Sequence, residues 1–201
     1  MTDEPLDFYF DFSSPYGYLA SHRIDALARR HGRRARWHPF LLGVVFRVTG
    51  QSPLIGQNLR GPYHERDFAR SARRLGVAFT MPSTFPFPAQ AASRGFYWLS
   101  ERDADASVAF AKTVYHAAFG EGQNVTDLDR LETIASSVGA DRAEFRKALA
   151  DPVMKDRLRE ETDSAIARGV FGSPFVFVDD EPFWGHDRFD QIDEWLQRGG
   201  W

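Results

Sequence analysis

Asp7-Phe8-Tyr9-Phe10-Asp11-Phe12-Ser13-Ser14-Pro15-Tyr16-Gly17-Tyr18-Leu19-Ala20 passes from strand to helix within a few residues. Leu6 to Phe12 is aromatic and apolar enough for a largely buried strand. Ser14 then suits an N-cap, and Pro15 suits the first helical position. The spacing Ser14-Pro15-Tyr16-Gly17 is that of a C-x-x-C redox motif, with serine and glycine at the two cysteine positions. A thiol at such a helix start would be activated by the helix N-terminus. The chain has no cysteine. A helix end shaped for a thiolate therefore points to a thiolate carried in by a ligand, with a vacancy expected at Gly17.

Outward from that stretch, apolar positions recur at helical spacing from Pro15 to His31, and Gly32 stops the pattern. Arg36 to Phe40 reads as a second strand, interrupted by Pro39. Strand, helix, strand at this spacing predicts a parallel, right-handed βαβ unit. Residues 43 to 150 are short helical patterns between breakers, at 62–75, 89–99, 105–119, 127–137 and 141–150. Met81 to Pro88 carries three prolines and reads as loop. The tail returns to α/β. Pro152 to Arg168 is a polar helix ending at Gly169, Phe175 to Val178 and Pro182 to Trp184 form a hairpin, and Arg188 to Arg198 is a last helix. The expected division is a core of residues 1–42 and 151–201 around a helical insertion, 43–150.

The 201 residues are 43% hydrophobic and 14% aromatic with 18 Phe, a globular composition with enough chain to bury a core. A net charge of -3 offers no electrostatic case for nucleic acid. The absence of cysteine excludes a disulfide framework, a thiol nucleophile of the protein's own and any Cys-ligated metal. Met1-Thr2-Asp3-Glu4-Pro5 is acidic and runs straight into a strand, unlike a secretory signal. No apolar run approaches the roughly 18 residues that span a membrane. The expectation is a cytoplasmic protein with no membrane partner. His22, His31, His38, His64 and His116 show no metal spacing, so no metal is expected. G-x-S-x-G, G-x-G-x-x-G and Walker loops are absent.

A βαβ half, a helical insertion and an αββα half make an α/β, thioredoxin-like core with an inserted all-helical domain. The arrangement resembles the DsbA-like branch of the thioredoxin superfamily. More closely, the chain resembles the 2-hydroxychromene-2-carboxylate isomerase and kappa-class glutathione transferase family. Asp7 to Ala20, Val170-Phe171-Gly172-Ser173-Pro174-Phe175 and Phe183-Trp184-Gly185-His186-Asp187-Arg188-Phe189 carry the resemblance, which is specific in combination.

The resemblance implies glutathione as cofactor, with its thiolate held by Ser14, and a small aromatic substrate. Ser14 is the match because the family places its serine directly before the proline; Ser13 stands where the family often has an apolar residue. Pro174 matches the cis proline opposite the active helix. Ser173 before it would pair its backbone with the tripeptide as an added strand. The turn Gly185-His186-Asp187 would receive the γ-glutamyl end, Asp187 facing its ammonium. Asp187 also suits a cap of the last helix. His186 stands where the family has Asn or Ser. Gln51 stands at the family's Asn position, and Arg60 where a basic residue faces glutathione; a solvated charge explains Arg60 equally well. The Trp184 ring reads as core. The Phe85-Pro86-Phe87-Pro88 loop lines an apolar pocket or simply packs. The implied activity is a glutathione-dependent isomerase acting on an aromatic 2-oxo acid. A kappa-type transferase and a non-catalytic binding module are the alternatives, and a homodimer is plausible by family analogy.

Overall fold

The computed structural model describes residues 4–201. The reading of Met1, Thr2 and Asp3 as the start of an acidic N-terminus lies outside the described residues. Four strands, β1 (Leu6–Phe10), β2 (Ala35–Pro39), β3 (Phe175–Val178) and β4 (Glu181–Trp184), form one sheet in the order β2-β1-β3-β4. β1 pairs with β2 in parallel and with β3 antiparallel, and β3 with β4 antiparallel. β1 is the longest-buried strand, every residue of it hidden, which its unbroken aromatic run requires. Pro39 is tolerated because β2 is an edge strand.

The helix expected from Pro15 to His31 is two helices. α1 (Pro15–Ser21) and α2 (Ile24–Arg30) meet at His22 and Arg23. The Ser21 hydroxyl donates back to Tyr18 O at 2.6 Å, a local bond that competes with the helix ladder. Arg23 is held across the fold by Asp190 at 2.7 Å and by His186 O at 3.4 Å.

Between the sheet halves lie α3 (Leu42–Thr49), a 3-10 turn (Leu54–Gly56), α4 (Arg60–Leu75), α5 (Gln90–Ser100), α6 (Ala104–Tyr115), a π turn (His116–Gly120), α7 (Leu128–Ser137) and α8 (Arg142–Ala150). α9 (Pro152–Ala167) leads back to β3, and α10 (Phe189–Arg198) closes the chain. Asp103, Asp127, Asp141 and Asp151 cap α6, α7, α8 and α9 through their side chains, as short polar residues before apolar periodicity do. The main core runs through both parts of the chain. Phe10 of β1 packs edge-on to Phe96 of α5 at 5.8 Å, and Phe12 to Phe110 of α6 at 6.5 Å. Such aromatic pairs add to burial itself. No helix among the described residues is long and apolar enough to cross a membrane.

Candidate functional site

Asp11, just past the end of β1, organises the site. Its carboxylate is almost fully buried and meets three neutral donors. Ser13 N and Ser13 Oγ reach Oδ1 at 2.7 Å each, and Leu42 N reaches Oδ2 at 2.7 Å. Its N–H donates to Ser173 Oγ at 3.0 Å. Its carbonyl accepts from Ser14 N at 2.9 Å and from the Tyr115 hydroxyl at 2.8 Å. One residue therefore ties the end of β1 to the starts of α1 and α3, the end of α6 and the loop before β3. Burial pushes its carboxyl up, against those hydrogen bonds.

Ser14 is the N-cap of α1, extended at φ -96° and ψ 112°. Its Oγ accepts from Gly17 N at 3.0 Å and donates to Ser173 O at 3.0 Å. The serine is buried, 5% exposed, and its single hydroxyl hydrogen faces the Ser173 carbonyl across 159 residues of chain. The Ser173–Pro174 bond is cis, as the sequence match implied. Ser173 and Ser14 are thus brought together.

The vacancy expected at Gly17 is not there. A Cβ at Gly17 would run into the Tyr115 hydroxyl, with Ser173 Oγ 3.1 Å away. The phenol of Tyr115, buried and nearly a hundred residues downstream, fills the second cysteine position. Open space borders Ser14 itself. Ser14, Ser173 and Asp11 line a cavity of about 310 Å³. Its walls are apolar: Leu42, Val44 and Phe46 of α3, Ile55, Phe68 of α4, and Phe85 and Phe87. The Phe85–Pro88 loop does line a pocket, and its Phe85–Pro86 bond is also cis. Size and lining are those of a small-molecule site.

Tyr16 closes one flank. Its hydroxyl donates to Asp67 Oδ2 at 2.7 Å and accepts from His64 Nδ1 at 3.1 Å in the tautomer protonated there. Its ring stacks on His186, centroids 4.8 Å apart and 10° from parallel. Burial, then the hydrogen bond and charge of Asp67, push the phenol well up, so it is no acid at ordinary pH. Burial also lowers His186, against the pull of Asp187 and Asp67.

The remaining sequence candidates lie further out. Gln51 and Arg60 are exposed and outside the cavity lining; Arg60 Nη1 donates to Gln57 Oε1 at 3.4 Å. His186 and Asp187 sit in a 3-10 turn (His186–Arg188) at the edge of the site. Asp187 caps nothing: α10 has no side-chain cap, and the carboxylate accepts from Arg188 Nη1 at 3.0 Å. Trp184 is not core. It is 53% exposed, packed on Phe171 at 4.9 Å and lying over Gly172, where a Cβ would strike its ring. β4 is an edge strand with alternate residues outward, and Phe183 takes the inward place. Among the described residues no group of three or more His, Asp or Glu is placed to hold a metal ion.

This geometry agrees with what the chain is similar to. A family model described as DSBA-like thioredoxin domain matches residues 5–197. A 2-hydroxychromene-2-carboxylate isomerase of Pseudomonas putida is 33% identical over 196 residues, covering 96% of this chain and 94% of its own. The chain belongs to the 2-hydroxychromene-2-carboxylate isomerase family of DSBA-like thioredoxin domains. A solved 2-hydroxychromene-2-carboxylate isomerase structure superposes with a TM-score of 0.88 at 30% identity, covering 97% of this chain and 95% of that one. Glutathione S-transferase kappa 1 of Caenorhabditis elegans is 25% identical over 206 residues, covering 96% of this chain and 91% of its own. Within this isomerase family the sequence reading missed Asp11, Tyr115 and Arg47, the last a cation on the cavity lining. Only the neighbourhood of Asp11 to Ser14 and the absence of cysteine could have drawn attention to Asp11.

Proposed function

We propose that this protein is a glutathione-dependent isomerase of the 2-hydroxychromene-2-carboxylate type, acting on an aromatic 2-oxo acid with Ser14 as the catalytic residue. The observation that supports it most is the buried Ser14 on the lining of a largely apolar cavity. The residues present fit glutathione. Tyr115 fills the Gly17 position, and Ser14 lines a cavity that could receive a thiol sulfur. Asp187 presents an exposed carboxylate, suited to the γ-glutamyl ammonium. The backbone at Ser173 borders the same space. Bound there, glutathione would supply a thiolate nucleophile that adds reversibly to the substrate's double bond and permits rotation about it.

The chain's own work is to hold that thiolate and the substrate. α1 has only seven residues, so its dipole is a minor source of stabilisation, and the Ser14 hydroxyl is the principal donor. With glutathione bound, Ser14 Oγ–H would turn from Ser173 O toward the sulfur, while its acceptor bond from Gly17 N keeps the oxygen in place. Apolar walls exclude water and strengthen that single hydrogen bond. Gln51, Arg60 and His186 are placed around the tripeptide's outer parts in this reading. It also puts the protein in the cytoplasm, where glutathione is kept reduced, as a homodimer. The kappa-class relative favours a second reading, a transferase using the same Ser14 contacts. The test is calorimetric titration with glutathione, then assay of chromene-carboxylate interconversion beside conjugation of a standard electrophile. Isomerisation abolished without glutathione supports the first reading; conjugation alone supports the second. No binding at millimolar glutathione defeats both.

A further inference from the structure

We propose that Asp11 is the proton acceptor for the thiol that binds at Ser14, keeping that proton inside the site while the thiolate is in place. The inference rests on the reading of glutathione as the bound thiol. Asp11 is 3% exposed, and its carboxylate accepts from Ser13 N, Ser13 Oγ and Leu42 N. Asp11, Ser13 and Leu42 line the same cavity as Ser14, and Ser13 is only half-buried there. Among the described residues no cation lies within ion-pair distance of this carboxylate, whereas Asp7 on the same segment meets two arginines and a histidine. The titratable group packed against Asp11 is Tyr115 of α6, whose phenol burial keeps neutral. Arg47 of α3 shares the lining but is exposed and makes no ion pair with Asp11.

A buried carboxylate held by neutral donors is costly to keep charged beside a second negative group. A thiolate at Ser14 is such a group, and one proton between the two acids relieves the repulsion. The S–H bond breaks, Ser13 Oγ accepts that proton, and Ser13 passes its own to Asp11 Oδ1 along the existing 2.7 Å bond. The products are a thiolate and a neutral carboxyl, with one negative charge before and after. In water the transfer runs uphill, from a thiol near about 8.5 to a carboxyl near about 3.9. Burial and the thiolate's charge both raise Asp11, and the Ser14 hydroxyl favours the ionised sulfur. Buried carboxyls rise by up to about 3 to 5 pH units and activated thiols fall by about 1 to 5, which together span that gap.

The experiment counts protons. The full chain is titrated with glutathione near neutral pH in buffers of different ionisation enthalpy, and thiolate is read from its ultraviolet absorbance. Wild type forms thiolate with no net proton released, and its affinity is flat between about pH 6 and 8. Asp11→Asn forms thiolate and releases about one proton per glutathione, because the free thiol is mostly protonated there. Its affinity then rises roughly tenfold per pH unit over the same range. Ser13→Ala removes the route but leaves the acceptor, so at equilibrium no proton is released. Should Asp11→Asn not fold, the wild-type count and pH profile decide alone. About one proton released by wild type overturns the proposal and leaves the glutathione reading intact. Glutathione bound by wild type without thiolate absorbance also overturns it. Absence of binding defeats both, so the two failures are distinguishable.

Discussion

Asp7 and Asp11 lie at the two ends of the same buried segment, both under 6% exposed, and have opposite surroundings. Asp7 meets cations. Arg36 Nε and Arg168 Nη1 lie 2.7 and 2.5 Å from its carboxylate, and His38 Nε2 3.1 Å. Burial would raise it, but the hydrogen bonds from His38, Arg36 and Arg168 overcome that and hold it well below the usual range. Asp11 meets only hydroxyl and amide donors, and burial wins. A sheet end that has only to be stable gathers opposite charges. The sheet end beside the cavity gives its carboxylate hydroxyl and amide donors in place of cations. Two like residues on one buried segment thus mark which end is scaffold and which is site.

The largest effect is expected at the site end. Ser14→Ala should lower turnover on the order of 10² to 10³, as loss of an oxyanion-type donor does, with little change in glutathione affinity or melting temperature. Steady-state kinetics beside thermal melts check it. An equal fall from Ser13→Ala would shift the role to the neighbouring serine. At the scaffold end, Asp7→Asn should cost stability and spare turnover. The expected loss is about 2 kcal/mol, below that of a fully buried pair because Arg36 and Arg168 re-solvate. For a chain of this size that is roughly 4 to 8 °C in melting temperature. A variant with normal melting and lost activity would break the division between scaffold and site.

Acid titration sharpens the same contrast, because the two carboxylates act with opposite sign. Asp7 is depressed, so its stabilisation is present above the unfolded value of about 3.9 and is lost as pH falls through the lower folded value. Asp11 is raised, so its contribution is present below about 3.9 and is lost as pH rises through the higher folded value. Melting temperature against pH should therefore lose its steep acid fall in Asp7→Asn. Asp11→Asn should instead remove a decline that begins above about pH 4. If both variants change the curve in the same direction, the opposition between the two ends is wrong.

Gly17 tests how tightly the site end is packed. Gly17→Ala gains helix propensity but drives a methyl into the Tyr115 hydroxyl. A net loss of about 1 to 2 kcal/mol is expected, within the range for overpacking. Tyr115→Phe in the same chain should recover part of it by removing the oxygen. No recovery in the double variant would mean that the strain lies in α1 itself.

What the sequence showed and what it hid divide along physical lines. Buried strands, the Pro15 start, the helical stretches opening at 127 and 141 and the β3–β4 hairpin depend on neighbouring residues and were legible. The serine before Pro15 was legible through a short motif, and the Ser173–Pro174 cis bond only through the family resemblance. Contacts that span the chain were not. α3 was not singled out, because Leu41 provides no side-chain cap; Leu42 N bonds instead to Asp11, 31 residues upstream. The break at His22–Arg23 depends on Asp190. The filled position at Gly17 depends on Tyr115. Arg47 looked like any arginine because periodicity does not say which helix face meets a cavity.

The smallest expected effect is at Asp187, and it probes the rim rather than either end of β1. Asp187 is lightly tied to the fold: its carboxylate is 61% exposed and, among the described residues, pairs with the adjacent Arg188. Asp187→Asn should therefore leave melting unchanged. If the γ-glutamyl ammonium docks there, the variant loses one charge-assisted hydrogen bond. Solvent screens so exposed a contact, so the loss should fall at the lower end of the usual range, about 1 to 1.5 kcal/mol. That is roughly a tenfold weaker glutathione dissociation constant, and it should shrink further at high salt. Calorimetry at low and high ionic strength reads both effects. A salt-independent loss would point to shape rather than charge. An unchanged constant would place the ammonium elsewhere on the rim, while Ser14 and the cavity kept their roles.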